Sequence, residues 1–345
     1  MNHRTSSATM PAGGHPAPTA GDLVLDVSGL VVRRGDLVAV RGVDLAVRKG
    51  QRVGIVGESG AGKSLTALAV MGLLQPGWTT EGEVWHDGVD LTRISDRAFS
   101  GRRGRTLSMV FQDPLSALNP TQRVGKQITS VLRRHSDVSR DGAREQALEL
   151  FRQMHLPRPE QMLRAYPHQL SGGQRQRIMI AMAIACYPQL IIADEPTTAL
   201  DVTVQKQVLR LLDHAVQERG SALLMITHDL PIIAAMCDHV LVMYGGRVVE
   251  AGPVNDVFRA PRHPYTRGLL ESQPTLDNIE LDGTSRLPSI RGSVPPLQAM
   301  PSGCAFRTRC DRATEQCQTV PVLAGDASRA ACWHPEPVLP LAGAR

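Results

Sequence analysis

The stretch Gly57-Glu58-Ser59-Gly60-Ala61-Gly62-Lys63-Ser64 decides how this chain is read. It has the form G-x-x-x-x-G-K-[ST], in which glycines let the backbone curl until several N–H groups face one anion. A helix beginning at the end of such a loop aims its positive dipole end at the same charge. Lys63 then reaches the outer phosphates of a nucleoside triphosphate, and the Ser64 hydroxyl offers a ligand to Mg²⁺. The flanks agree with this reading. Gln51-Arg52-Val53-Gly54-Ile55-Val56 reads as a short buried strand, and Leu65-Thr66-Ala67-Leu68-Ala69-Val70-Met71 as a helix.

Further along, Leu190-Ile191-Ile192-Ala193-Asp194-Glu195 is an apolar strand that ends in two acids. Asp194 at its carboxyl end is placed to hold Mg²⁺, and Glu195 to polarise the water that attacks the terminal phosphate. About 20 residues before that strand stands Leu170-Ser171-Gly172-Gly173-Gln174. Ser171 is suited to cap a helix, and its two glycines allow an anion close to the backbone. Upstream of the phosphate loop, Leu23 to Val53 alternates apolar and polar residues around turns at Arg34-Gly35-Asp36 and Arg48-Lys49-Gly50. That pattern predicts antiparallel strands, and Gly82-Glu83-Val84-Trp85 with the turn His86-Asp87-Gly88 predicts another pair. Gln127 to Tyr166 is helical in pattern, with Arg144 to Phe151 its clearest amphipathic segment. A helix over Val202–Gln217 and a strand over Ala222–Thr227 follow. Strand and helix in alternation imply a mainly parallel sheet with helices on its faces.

At 345 residues the chain is long enough for roughly two domains. No apolar run approaches the roughly 18–20 residues that span a bilayer, and Met1 to Ala20 lacks the apolar core of a signal peptide. That segment reads as a disordered tail, and a cytoplasmic location is expected. The net charge of +5 raises the question of nucleic acid. Only four of the 38 basic residues are lysines (Lys49, Lys63, Lys126 and Lys206), the arginines are scattered, and aromatic residues for base stacking are 3%. A nucleic-acid role is not favoured.

Taken in order, the phosphate loop, Gln112 in Met109-Val110-Phe111-Gln112-Asp113-Pro114, the Leu170–Gln174 signature, Asp194-Glu195, Ala199-Leu200-Asp201 and His228 in Ile226-Thr227-His228-Asp229 resemble the nucleotide-binding subunit of an ATP-binding cassette (ABC) transporter. The resemblance covers roughly residues 23 to 262. It implies an α/β P-loop NTPase fold of the ABC-ATPase type, with an antiparallel β subdomain and a helical subdomain over about residues 113–172. It further implies that Gln112 touches Mg²⁺ and the attacking water and links the nucleotide to the membrane subunits. Ser171 and Gly173, flanked by Gly172 and Gln174, face the terminal phosphate bound to the opposite subunit. Asp201 shapes the dimer interface, and His228 holds the terminal phosphate. The family's usual adenine-stacking aromatic has no match here: the aligned position is Arg34, whose guanidinium plane can stack on a base but equally suits an exposed turn.

Finer wording narrows the branch. Phe111-Gln112-Asp113-Pro114-Leu115-Ser116-Ala117-Leu118-Asn119-Pro120, Arg177-Ile178-Met179-Ile180-Ala181-Met182-Ala183, Glu195-Pro196-Thr197-Thr198 and His263-Pro264-Tyr265-Thr266 resemble dipeptide/oligopeptide importer ATPases, of the first of their two subunit types. From about residue 263 to 345 the chain turns Pro- and Cys-rich, which reads as a small C-terminal extension. Cys304, Cys310, Cys317 and Cys332 are separated by five, six and fourteen residues, without the close pairs of a zinc knuckle. A cytoplasmic setting disfavours disulfides, and four such thiolates can ligate an iron–sulfur cluster. Similar importer subunits share the pattern Gly-Cys-x-Phe-x-x-Arg-Cys, here Gly303 to Cys310, and carry a [4Fe–4S] cluster. Zinc, with His334 as a further ligand, and free thiols are the alternatives. Cys186 and Cys237 lie in apolar segments and read as packing residues.

The resemblance thus implies an ATP- and Mg²⁺-dependent ATPase at the cytoplasmic face of the membrane. Its expected partners are a second, similar ATPase subunit in a heterodimer, two permeases and, indirectly, an external substrate-binding protein. The same engine serves other cargo, such as nickel or glycosides. A soluble cassette ATPase acting on nucleic acid or ribosomes is the more distant alternative.

Overall fold

The computed structural model describes residues 22–198, 200–273 and 289–337. The expected tail lies, up to residue 21, outside the described residues, as do Ala199 and the prolines Pro274 and Pro288.

Two sheets organise the chain. The first, in the order β2-β1-β4-β5, is antiparallel and is built from β1 (Leu23–Arg34), β2 (Leu37–Arg48), β4 (Thr79–His86) and β5 (Val89–Asp90). These are the alternating segments read from the sequence. Leu25, Val27, Val32, Val43, Leu45 and Val84 point into one apolar layer that also holds Val53, Ile55, Ala67 and Val70. The second sheet has the order β11-β10-β9-β3-β8-β7-β6, with β3 (Arg52–Val56), β6 (Leu107–Val110), β7 (Leu190–Asp194), β8 (Ala222–Ile226), β9 (His239–Tyr244), β10 (Arg247–Pro253) and β11 (Arg329–Ala330). From β9 to β6 every pairing is parallel, and β10 and β11 add an antiparallel edge.

The parallel strands are near-continuous apolar runs because both of their faces are covered. In β7, Leu190 and Ile192 face the layer shared with the antiparallel sheet, while Ile191 and Ala193 face the helices. In β8, Leu224 and Ile226 take the first side and Leu223 and Met225 the second. Each buried aliphatic side chain of this kind contributes roughly 1.5–3 kcal/mol, so a one-residue slip in register is strongly disfavoured. Helices Val124–His135, Arg140–Gln153 and Gly172–Ile184 pack Ile128, Leu132, Ala147, Phe151 and Ile178 into the helix-side core.

The C-terminal extension packs directly on this body. Its β11 pairs with β10, Glu250 opposite Ala330. Phe306 is buried against Tyr244, Tyr265 and His263, with ring centroids 5.2, 5.4 and 5.8 Å away. The Glu250 carboxylate accepts the backbone N–H groups of Arg262 (2.7 Å) and His263 (2.9 Å), which fixes the entry of helix Pro264–Glu271. The aromatic core runs across the change in composition near residue 262. Among the described residues no helix is long and apolar enough to cross a membrane.

Candidate functional site

Parallel strands put all their carboxyl ends, and the loops that follow, along one edge of the sheet. Four of these loops carry the motif residues. β3 leads into the phosphate loop, β6 into Gln112, β7 into Glu195 and β8 into His228. The pairings Val110 with Ala193, Asp194 with Ile226 and Ile55 with Ile226 bring these ends level.

The phosphate loop is shaped by glycines where no other residue fits. At Gly57 (φ 152°) a Cβ would run into the Met243 carbonyl oxygen, and Gly62 (φ 97°) caps helix Lys63–Val70 in a left-handed conformation. Lys63 is only 6% exposed, and its ammonium donates to the carbonyl oxygens of Gly57 (2.7 Å) and Glu58 (3.1 Å). Burial pushes its pKa down, while Glu195, Asp194 and Glu58 pull it back up. An incoming polyphosphate adds to that second group. The loop opens onto a cavity of about 420 Å³ lined by Ala39, Ser59 to Leu65, Gln112, Glu195 and Val294 to Leu297.

The Ser64 hydroxyl donates to the Asp194 carboxylate at 3.0 Å. Burial raises the Asp194 pKa, as does neighbouring Glu195, against the Ser64 hydrogen bond and Lys63. Glu195 is more elaborately held. Its backbone is left-handed (φ 45°), which costs a non-glycine residue of order 1–3 kcal/mol, and its N–H donates to the Ile226 carbonyl at 2.8 Å. One carboxylate oxygen accepts from Gln112 Nε2 (3.1 Å) and Thr198 Oγ1 (2.8 Å), and the other faces His228 Nδ1 at 3.2 Å. Burial acts to raise its pKa, but the Thr198 and His228 hydrogen bonds and the charges of His228 and Lys63 outweigh it. The group is thus held ionised below the ordinary glutamate range. An ionised carboxylate beside a phosphate cradle can take a proton from water.

Ser171 caps helix Gly172–Ile184 in a reciprocal box: its Oγ accepts from Gln174 N–H at 3.3 Å and Gln174 Oε1 accepts from Ser171 N–H at 2.9 Å. Neither these residues nor Gly172 and Gly173 line the phosphate cavity of their own chain. Gln176, buried in the same helix, donates to the Pro196 carbonyl and so ties the signature helix to the loop after Glu195. Asp201 caps helix Val202–Arg219 through Thr203 and Val204 N–H, both at 3.0 Å, and Val202 beside it is 66% exposed. Arg34, expected as a base-stacking residue, ends β1 near Gly77 and is not among the residues that line the cavity.

In the extension, Cys304, Cys310, Cys317 and Cys332 line one cavity with His263, Phe306 and His334. Burial raises the Cys304 and Cys310 thiols and lifts Cys332 to about 11. Among the described residues no three His, Cys, Asp or Glu side chains converge as ligands of a single metal ion. Cys237 is a buried packing residue with its thiol pushed up to about 12, and Cys186 is half-buried.

Sequence reading missed Val294 to Leu297 as cavity wall, since only the pair Pro295-Pro296 marks that segment and it carries no motif. Thr198 lies inside a quoted motif, but the motif does not say that its hydroxyl donates to Glu195.

The family model described as "ABC transporter" matches residues 40–198, and the one described as "Oligopeptide/dipeptide transporter, C-terminal region" matches residues 249–317. The oligopeptide transport ATP-binding protein AppD of Bacillus subtilis is 46% identical over 83% of this chain and 87% of its own length. The oligopeptide transport ATP-binding protein OppD of Salmonella typhimurium is 44% identical over 89% and 92%. The dipeptide transport ATP-binding protein DppD of Bacillus subtilis is 45% identical over 87% and 90%. Among solved structures, a dimeric ATP-binding cassette in a post-hydrolysis state with ADP and Pi superposes with a TM-score of 0.60 and 27% identity, over 67% of this chain and 98% of that one.

Proposed function

Because this chain belongs to the ATP-binding proteins of ABC transporters, which hydrolyse ATP, we propose that it energises the uptake of di- and oligopeptides across the cytoplasmic membrane. The observation that carries the cargo class is the match of the C-terminal segment, residues 249–317, to the oligopeptide/dipeptide region. In this reading the chain lies peripherally at the cytoplasmic face and pairs with a second ATPase subunit beneath two permeases, which receive peptide from a binding protein outside. ATP sits between the phosphate loop of one subunit and the Ser171–Gln174 signature of the other, in keeping with the signature not lining the cavity of its own chain.

Within the site we assign Glu195 as the general base, oriented by Gln112, Thr198 and His228. Ser64, Asp194 and Gln112 form a hard oxygen donor set that fits Mg²⁺, with Ser64 and Asp194 already 3.0 Å apart. Bound there, Mg²⁺ neutralises phosphate charge. Deleting the chain from its cells is expected to abolish uptake of short peptides, and only a copy with intact Glu195 restores it. Unchanged peptide uptake together with lost uptake of nickel or a glycoside would move the cargo assignment to the alternative.

The cysteine cavity is assigned to a [4Fe–4S] cluster. What supports it is that the four thiols line one cavity and that four thiolates can ligate such a cluster. Anaerobically purified protein should carry about four irons with matching sulfide per chain. One zinc per chain, or neither metal in folded protein, would refute the cluster.

A further inference from the structure

Arg309, in the middle of the cysteine-rich extension, reaches the phosphate loop. Its guanidinium forms a two-pronged pair with the Glu58 carboxylate, Nη1 to Oε2 at 2.6 Å and Nη2 to Oε1 at 3.2 Å. The remaining N–H groups are engaged as well. Nε donates to the Arg291 carbonyl (2.7 Å), Nη2 also faces the Gly292 carbonyl (3.2 Å), and Nη1 faces the Tyr244 hydroxyl (3.4 Å). A guanidinium has five donors in a rigid fork, and here each has an acceptor. The Arg309 side chain is 5% exposed and that of Glu58 27%, so solvent screens this pair far less than a surface bridge.

A second contact closes on the same residue. The Glu58 N–H donates to the hydroxyl of Tyr265, which is fully buried, at 2.8 Å. Glu58 is thus gripped by its side chain and its backbone, and Val294 to Leu297, a few residues after the Arg291 and Gly292 carbonyls that Arg309 holds, line the phosphate cavity. The Glu58 carbonyl, in turn, accepts a hydrogen bond from Lys63. Glu58 lies inside the G-x-x-x-x-G-K-[ST] loop at a position where the pattern demands no particular side chain.

We propose that Arg309 and Tyr265 are positioning residues of the nucleotide site, holding the phosphate loop in its binding shape through Glu58. The C-terminal extension is therefore part of the ATP site and not an appendage to it. Arg309 immediately precedes Cys310, which lines the cysteine cavity. The inference rests on ATP binding at this loop and is independent of the peptide cargo and of the cluster.

The test uses the full chain and a fluorescent ATP analogue, with steady-state ATPase kinetics, for Arg309→Gln, Arg309→Lys, Tyr265→Phe, Glu58→Gln and the Glu58→Gln/Arg309→Gln pair. Breaking a charge-assisted pair of this kind is expected to raise the ATP Kd about tenfold, with the loss falling on KM and not on kcat. The paired substitution should be no worse than Arg309→Gln alone, since both remove one interaction. Arg309→Lys should recover part of the affinity. Amide exchange at Glu58 should quicken in Tyr265→Phe, which keeps the ring and its packing and so remains informative where an Arg309 variant fails to fold. An unchanged Kd and unchanged loop exchange in folded variants, or additive effects in the pair, would overturn the proposal. Iron measured in every variant distinguishes loss of the latch from loss of a cluster.

Discussion

Glu195→Gln is expected to retain ATP binding and to lower turnover by about 10²–10⁴-fold. The substitution keeps the shape of the side chain and its bonds to Gln112 and Thr198 within reach, but it removes the only group that these neighbours hold ionised. What is lost is proton acceptance and not position. Stopped-flow binding and steady-state hydrolysis on the same preparation provide the measurement. Hydrolysis within a few-fold of the parent chain would take Glu195 out of the role and leave His228 as the candidate base.

The second large effect concerns Lys63. Lys63→Ala is expected to weaken ATP binding by about a hundredfold or more, because hydrogen bonds to charged groups contribute roughly 1.5–3 kcal/mol each and about 1.4 kcal/mol is a factor of ten. The ammonium sits almost fully buried and donates to the carbonyls of Gly57 and Glu58. It is therefore poised to exchange these two acceptors for phosphate oxygens. Thermal unfolding without nucleotide should change little, while the stabilisation that ATP confers on the parent chain should vanish. Retained ATP-dependent stabilisation in folded Lys63→Ala would contradict the assignment of the loop.

Much of the fold was legible because its signals are local. Alternation in Leu23 to Val53 and apolar runs at Leu190 and Ala222 follow from the period of a strand and from whether one face or both are covered. The short strand Leu107–Val110 and the helix Asp96–Arg102 have no clear signal in the sequence, since three apolar residues around Ser108 show no period and the seven-residue helix buries Phe99 alone. The edge strand Arg329–Ala330 is two residues long and exists through its pairing with β10 and a bridge from Ala330 to Ala324, which no local pattern announces.

The sequence alone determined the chemistry of the phosphate loop, because Gly57, Gly60 and Gly62, followed by Lys63 and Ser64, lie within eight successive residues and present their own backbone to an anion. It likewise determined that Asp194 and Glu195 stand at a strand's end, and that the signature begins a helix. Tertiary structure decided the company these residues keep. Glu195 is held by Gln112, 83 positions earlier, and by His228, 33 positions later, and Glu58 is held by Arg309 across 251 positions. Such bonds depend on ångström-scale geometry set by sheet register and by docking of the extension on Tyr244 and Tyr265, which no spacing along the chain encodes.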